Sequence, residues 1–369
     1  MCNILSIQYM HGQYDMYMFT LQHTWTCRAM TLRRLLSGTV PALGDNESRV
    51  PVLTIHVTPD VRCPTLMTSS PSYGDGWDLV VPGAWGMPFL LGLVYRGARV
   101  GGLRELRHSD FEMSQQLFPG GCPDTEAGRV HEEGVRTELE TAHNKRPPAK
   151  RPSYAKMGTP WPFVNPWQTL LCDWSAADDD APAHEQWAVL RDRATLEQLD
   201  DCVRRGTSLA DVEHGGALLV PVTLTMVRRG CCESFSSICL PSSQDLAQLA
   251  ADAQYTGPTE RLHTGPTERL HTGLTERLHT HKDRNNSNNA AASCDQTVKN
   301  HCDRVIVGFV SEGSFSFRIG QGKGLGFVAF NALRELVSKS SRMPGGVLVV
   351  VRPRQSLQYR FALLSIAYS

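Results

Sequence analysis

No stretch of this chain approaches the eighteen or so consecutive apolar residues of a membrane-spanning helix, so none is expected. The start, MCNILSIQYMHGQYDMYMF, lacks a basic leading region, and His11, Gln13 and Asp15 interrupt its apolar run, so it reads as a poor secretory signal peptide. Net charge is also missing: 37 Lys and Arg balance 37 Asp and Glu. An anionic partner therefore has to be sought in local clusters. The 11 cysteines show no zinc-ribbon or redox spacing, and only Cys231 and Cys232 are adjacent. Free thiols in a reducing compartment are the expected state.

Catalytic signatures are equally scarce. GQGKGLG (320–326) fails the phosphate-loop pattern because Lys323 is not followed by Ser or Thr. It fails the dinucleotide pattern because strands flank it, so a glycine-rich β-turn is expected. No Ser–His–Asp or Cys–His set stands out among 13 histidines and 11 cysteines. His56 sits in an alternating run and reads as structural. Asp75 and Asp78 flank Gly76 and Trp77, which reads as a turn rather than an acid–base pair. Catalytic and metal-ligating residues are accordingly expected to be none.

What is present is a core-forming composition, 41% hydrophobic over 369 residues, sufficient for two or three domains. PVLTIHV (51–57) alternates like a half-buried strand, and DLVVP (78–82) reads as a second. FLLGLVY (89–95) is a continuous apolar run, expected as a strand covered on both faces. GARVGG (97–102) turns the chain, 118–128 is a loop by composition, and 129–143 suits a polar helix. An irregular, aromatic-rich segment follows at 157–174, then an acidic hinge at 176–183.

Further on, 186–205 has near-helical leucine spacing, 218–227 alternates as a strand, and 241–253 reads as a helix opened by serine. Residues 256–279 repeat TGPTERLH, TGPTERLH, TGLTERLH. One leucine per unit cannot build a core, so 256–300 is expected as a flexible linker. Its histidines (His263, His271, His279, His281) are not expected to hold a metal. Strands at 305–310, on either side of 320, at 346–353 and at 357–368, with a helix at 329–338, point to a small sheet or barrel. The 218–227 strand is expected to join it.

Two cationic stretches remain. YRGARVGGLRELR places Arg96, Arg99, Arg104 and Arg107 around glycines. Glycine lets a bulky ligand approach the backbone, and arginine forks match phosphate oxygens; a solvated loop is the plain alternative. NKRPPAKRP (144–152) carries Lys145, Arg146, Lys150 and Arg151 without an acid, and Tyr154 and Lys156 follow. Its prolines favour polyproline II, which would hold Arg146 and Arg151 roughly 15 Å apart at about 3.1 Å per residue. Such a strand loses little entropy on a polyanion, and Tyr154 would stack on a base or ribose. If all five cations of 143–156 met phosphates, the log–log salt slope would be about −3.5 to −4.5. Trp77, Trp85, Trp161 and Trp167 read as core residues before they read as base-stacking ones.

GWDLVVPGAWGMPFLLGLVYRGARVGGLRE (76–105), the FPGGCPDTEAG loop and KRPPAKRPSYAKMGTPWPFVNPW (145–167) resemble the POPLD region of the largest protein subunit of ribonuclease P and ribonuclease MRP. GFVSEGSFSFRIGQGKGLGFV and SLQYRFALLSI resemble the C-terminal domain of that subunit family, whose architecture is similar to the aminomethyltransferase fold. The resemblance implies an α+β chain. A POPLD-type mixed domain (49–175) precedes a small aminomethyltransferase-like β-barrel domain (184–255 plus 304–369), interrupted by a low-complexity linker (256–303).

It also implies a non-catalytic RNA-binding scaffold with no cofactor of its own, Mg²⁺ belonging to the partner RNA. The implied partners are ribonuclease P RNA, ribonuclease MRP RNA and other protein subunits, with precursor tRNA reached indirectly and no membrane. The implied setting is the nucleus and nucleolus, where these particles remove the 5′ leader of precursor tRNA and cut precursor rRNA. The family's N-terminal half has no counterpart before residue 50, so a truncated member with an unassigned leader (1–48) is expected. The alternatives are a folate-dependent aminomethyltransferase-like enzyme and a protein–protein scaffold without RNA contact.

Overall fold

A computed structural model describes residues 2–8, 50–57, 76–116, 118–175, 187–207, 217–252, 254–261, 298–339, 342–343 and 345–367. The acidic hinge, most of the leader and the repeats from 262 to 297 lie outside the described residues. The chain divides into two compact units, Met1–Ser109 and Asp110–Ser369. Residues 118–175 pack with the C-terminal strands, Thr159 donating to the Arg354 carbonyl and Trp167 lying against Phe309 and Phe327.

In the first unit, strands β1 (Cys2–Gln8), β2 (Leu53–Val57) and β3 (Gly76–Pro82) form an antiparallel sheet with β3 in the middle. Leu79 and Val81 share the buried face of β3, as period-two alternation requires. His56 is paired with Trp77 across the strands, their rings 4.6 Å apart. Pro82 ends the strand, a single 3₁₀ turn follows, and helix α1 (Gly86–Val94) begins.

Here the expected strand at 89–95 is a helix. Pro88 lies in its first turn, where a missing N–H costs nothing, and leucine, methionine and phenylalanine outnumber β-branched residues. Phe89 is buried, whereas Leu91 and Val94 are exposed. An apolar run alone does not separate the two states. Helix α2 (Leu103–Glu112) follows.

The second unit is built on a barrel. Strands β5 (Ala217–Met226), β6 (Ser237–Cys239), β7 (Ile306–Ser316), β8 (Gln321–Ala329), β10 (Gly346–Arg352) and β11 (Arg360–Ile366) pair in the order β11-β10-β6-β7-β8-β5. β11 then pairs β5, Leu364 opposite Leu224, and the six strands close. β4 (Trp187–Val189) extends β5 in parallel, and β9 (Arg342–Met343) pairs β10. Helices α4 (Trp167–Trp174), α5 (Arg193–Arg205) and α7 (Phe330–Lys339) pack against the barrel strands. With side chains inside the barrel and helices outside, β10 is buried at every residue, which explains its unbroken GVLVVV run. α6 (Ser243–Ala251) starts at Ser242 with a reciprocal capping box to Asp245.

GQGKGLG is strand rather than turn; only Gly320 belongs to the turn, with φ +68. A Cβ at Gly322 would lie 2.2 Å from the Gly230 carbonyl oxygen, and one at Gly326 would lie 2.3 Å from that of Phe309. These glycines admit neighbouring backbone instead of reversing the chain.

The flanks of the expected linker are part of the unit. Thr259 bridges Gln358, and Glu260, 9% exposed, accepts the Tyr359 hydroxyl proton. At the other end Val298 is fully buried, and Asp173 accepts the backbone N–H groups of Val298 and Lys299. Residues 256–261, the described part of the first octad, are therefore a structural element.

Candidate nucleic-acid interface

Arg96, Arg99, Arg104 and Arg107 are exposed in the first unit. α1 ends in overlapping turns in which the Arg96 and Ala98 N–H groups both donate to the Leu93 carbonyl. Gly97 takes φ +92, a conformation L-residues rarely adopt. Arg104 and Arg107 lie on α2, whose start is held by Glu105: its carboxylate accepts the Gly102 N–H at 2.8 Å. That bond, helped by the Arg104 charge, holds the Glu105 carboxyl below its ordinary range.

The second cationic stretch follows helix α3 (Glu126–Lys145). Thr125 caps α3 by accepting the Gly128 N–H at 3.0 Å. Polar i,i+3 and i,i+4 pairs such as Arg136–Glu140 line its exposed side. Glu132 faces inward and accepts the Trp167 indole N–H at 2.9 Å; burial raises its carboxyl despite that bond.

α3 stops because a residue before proline is pushed out of the helical region. Arg146 precedes Pro147 and takes ψ 143; Pro147 precedes Pro148 and takes ψ 142; Arg151 precedes Pro152 and takes ψ 129. Pro148, Ala149 and Lys150 precede no proline, and these three form a 3₁₀ turn. The polyproline II strand expected over 144–152 is thus broken in its middle. Arg151 folds back, Nε donating to the Arg146 carbonyl at 2.7 Å and Nη2 to that of Asn144 at 2.5 Å. Its guanidinium closes the turn through Nε and Nη2, and the residue stays exposed.

Tyr154 is enclosed by its neighbours. It is 8% exposed, edge-on to Phe163 at 5.3 Å and beside His143 at 5.6 Å. It pins the turn to the protein. Lys145, Arg146, Lys150 and Lys156 are exposed.

The platform beneath is stiff. Arg352, 3% exposed, donates to the carbonyls of Met157 and Gly158 at 3.1 and 3.0 Å. Arg354 donates to the Pro162 carbonyl at 2.6 Å and stands over Phe163 and Phe235. His301 donates its Nε2 proton to the Gly158 carbonyl at 3.0 Å, and burial holds its imidazole below the ordinary histidine range. Trp167 is wedged edge-on between Phe309 and Phe327, and the Trp174 indole donates to Ile306 at 3.0 Å. Each buried tryptophan removes roughly 150–250 Å² from water, about 4–6 kcal/mol. Core packing is therefore the role of Trp167, and Trp161 packs against the same core.

Sequence reasoning missed an internal polar cluster. Arg352 lies 3.8 Å from Glu260, which also accepts the Asp303 N–H at 3.0 Å. Burial drives the Tyr359 phenol far above its ordinary range and the Cys302 thiol up to about 11. Nothing in a lone Arg or Glu in a strand-rich sequence signals such a network. Among the described residues no group of three or more His, Cys, Asp or Glu is placed to hold a metal, and no helix is long and apolar enough to cross a membrane.

Two family descriptions match the chain. The POPLD (NUC188) domain covers residues 76–167, which include all ten expected contact residues, and the POP1 C-terminal domain covers 218–368. The human protein named ribonucleases P/MRP protein subunit POP1 is 27% identical over 90% of this chain and 43% of its own length. The Caenorhabditis elegans subunit popl-1 is 28% identical over 47% of this chain and 23% of its own. The Schizosaccharomyces pombe subunit pop1 is 39% identical over 21% and 11%. The chain spans less than half the length of these relatives.

Proposed function

Since this chain joins a POPLD domain to a POP1 C-terminal domain, we propose that it is an RNA-binding scaffold subunit of ribonuclease P and ribonuclease MRP. In this reading the partner RNA holds the Mg²⁺ and does the cutting. The protein braces the RNA beside other protein subunits, in the nucleus and nucleolus, and contributes indirectly to removal of the precursor-tRNA leader and to precursor-rRNA processing.

The observation that carries the reading is the mount of the basic turn. Lys145, Arg146, Lys150 and Lys156 are exposed on a backbone fixed by three proline constraints, the Arg151 closure and the buried Tyr154. Cations held in place lose little further entropy when they meet phosphates. Counterion release then makes the affinity steeply salt-dependent.

A salt titration of the full chain on a structured RNA tests this. Neutralising Lys145, Arg146, Lys150 and Lys156 to glutamine should reduce the log–log slope by about 3, near 0.7–0.9 for each cation removed. A slope unchanged by the four substitutions contradicts the reading. So does heat released on folate titration, the signature of the aminomethyltransferase alternative.

A further inference from the structure

The hairpin joining β7 and β8 presents two aromatic rings to solvent. Phe317 is 81% exposed and Phe315 is 40% exposed. Phe315 lies near the end of β7 and Phe317 opens the turn that follows it, and their rings meet edge to face with centroids 5.5 Å apart. Ser316 between them is fully buried.

The tip is clamped from beneath. The Glu112 carboxylate, 3% exposed, accepts the Ser316 hydroxyl proton with one oxygen and the Phe317 N–H at 3.1 Å with the other. The Glu112 carbonyl accepts Arg318 Nη1 at 3.2 Å and Lys323 Nζ at 2.9 Å. Ser316 Oγ accepts the Ile319 N–H, and the Ser316 carbonyl accepts that of Gly320. These donors and a buried carboxylate hold the turn in a form that points its rings outward.

The rim identifies the occupant. Ser314, Gly320 and Gln321 are exposed around the rings, and Arg318 is half-buried beside them. The close approach of Gly322 to Gly230 lays the 229–231 loop, with exposed Arg229, against the start of β8. The surroundings carry both signs, with Glu312 and Glu233 exposed as well as Arg229, and two rings in such a polar rim are too small an apolar area for the core of a protein interface. They suit one nucleobase, which needs a π-face and positive charge near its phosphates.

We propose that Phe317, backed by Phe315, is a stacking platform for an unpaired base of a structured RNA, with Arg229 and Arg318 supplying positive charge nearby. The proposal rests on the RNA-scaffold reading and adds a base-contacting site to it.

The test uses the full chain and two probes: an RNA stem-loop with a single 2-aminopurine in its loop, and a blunt duplex of the same stem. Phe317→Ala should weaken stem-loop binding about tenfold, within the range for one base–aromatic stack, and abolish the quenching of 2-aminopurine. Duplex affinity and the salt slope should stay unchanged, and Phe317→Tyr should restore both stem-loop signals. If Phe317→Ala binds the stem-loop like the unaltered chain while binding stays salt-steep, stacking is wrong and the scaffold reading stands. If Phe317→Ala instead releases a protein from the isolated particle with RNA binding intact, the hairpin is a protein-docking site and the proposal falls. If the unaltered chain binds neither probe at low salt, both readings fall.

Discussion

Arg151 and its neighbour Lys150 are both exposed, but the Arg151 guanidinium donates to the carbonyls of Arg146 and Asn144. The two cations should therefore separate under mutation. Arg151→Ala removes two hydrogen bonds and should lower the urea midpoint by an amount equivalent to about 1 kcal/mol. Its effect on the salt slope of RNA binding should be small. Lys150→Ala should leave stability within about 0.5 kcal/mol and reduce the slope by about 0.7–0.9. Urea denaturation and salt titration of the two variants check this, and a reversed pattern would reassign Arg151 to the RNA. In the sequence the two residues are equivalent charges. What distinguishes them is the 3₁₀ turn, which depends on which residues precede proline. Tyr154 follows the same logic: one aromatic beside a basic run reads as a base platform until Phe163 and His143 are seen to enclose it.

Individual elements are joined by ion pairs whose acid response has a definite sign. Asp124 is bonded to Arg191 at 2.5 and 2.7 Å and accepts the Val189 N–H, tying the loop before α3 to β4. Asp245 is bonded to Arg304 at 2.7 and 2.8 Å, tying α6 to the start of β7. Burial pushes both carboxyls up, but the arginine and backbone donors outweigh it and hold both below the ordinary 3.8. Their stabilisation is complete above the unfolded value and is lost as pH falls through the depressed folded values, that is, below about pH 4. Urea midpoints should hold down to about pH 5 and drop as pH falls below about 4, and Arg304→Met should shrink that drop while lowering the midpoint at neutral pH. An Arg304→Met chain with the full acid dependence would contradict the assignment for Asp245. The strands at 218–227 and 346–353 and the helices at 241–253 and 329–338 were legible because period, caps and β-branched content agree there. α1 was not, since six apolar residues around one glycine at 89–95 fit either geometry and only the packing of Phe89 decides.

For the whole molecule, the barrel was legible from its short strands, but its closure was not. The β5–β11 pairing joins residues about 140 apart in sequence, and no local pattern encodes it. The packing of 118–175 with the barrel was equally hidden, because the tryptophans at 167 and 174 carry no mark of what they will touch. At this scale the central claim is that cations fixed on a packed protein body grip a folded RNA. Ultraviolet crosslinking in the intact ribonucleoprotein, with the attached peptides mapped, tests it most directly. RNA adducts are predicted within 143–156 and 96–107. Adducts confined to other segments, with both of these peptides recovered unmodified, would contradict it.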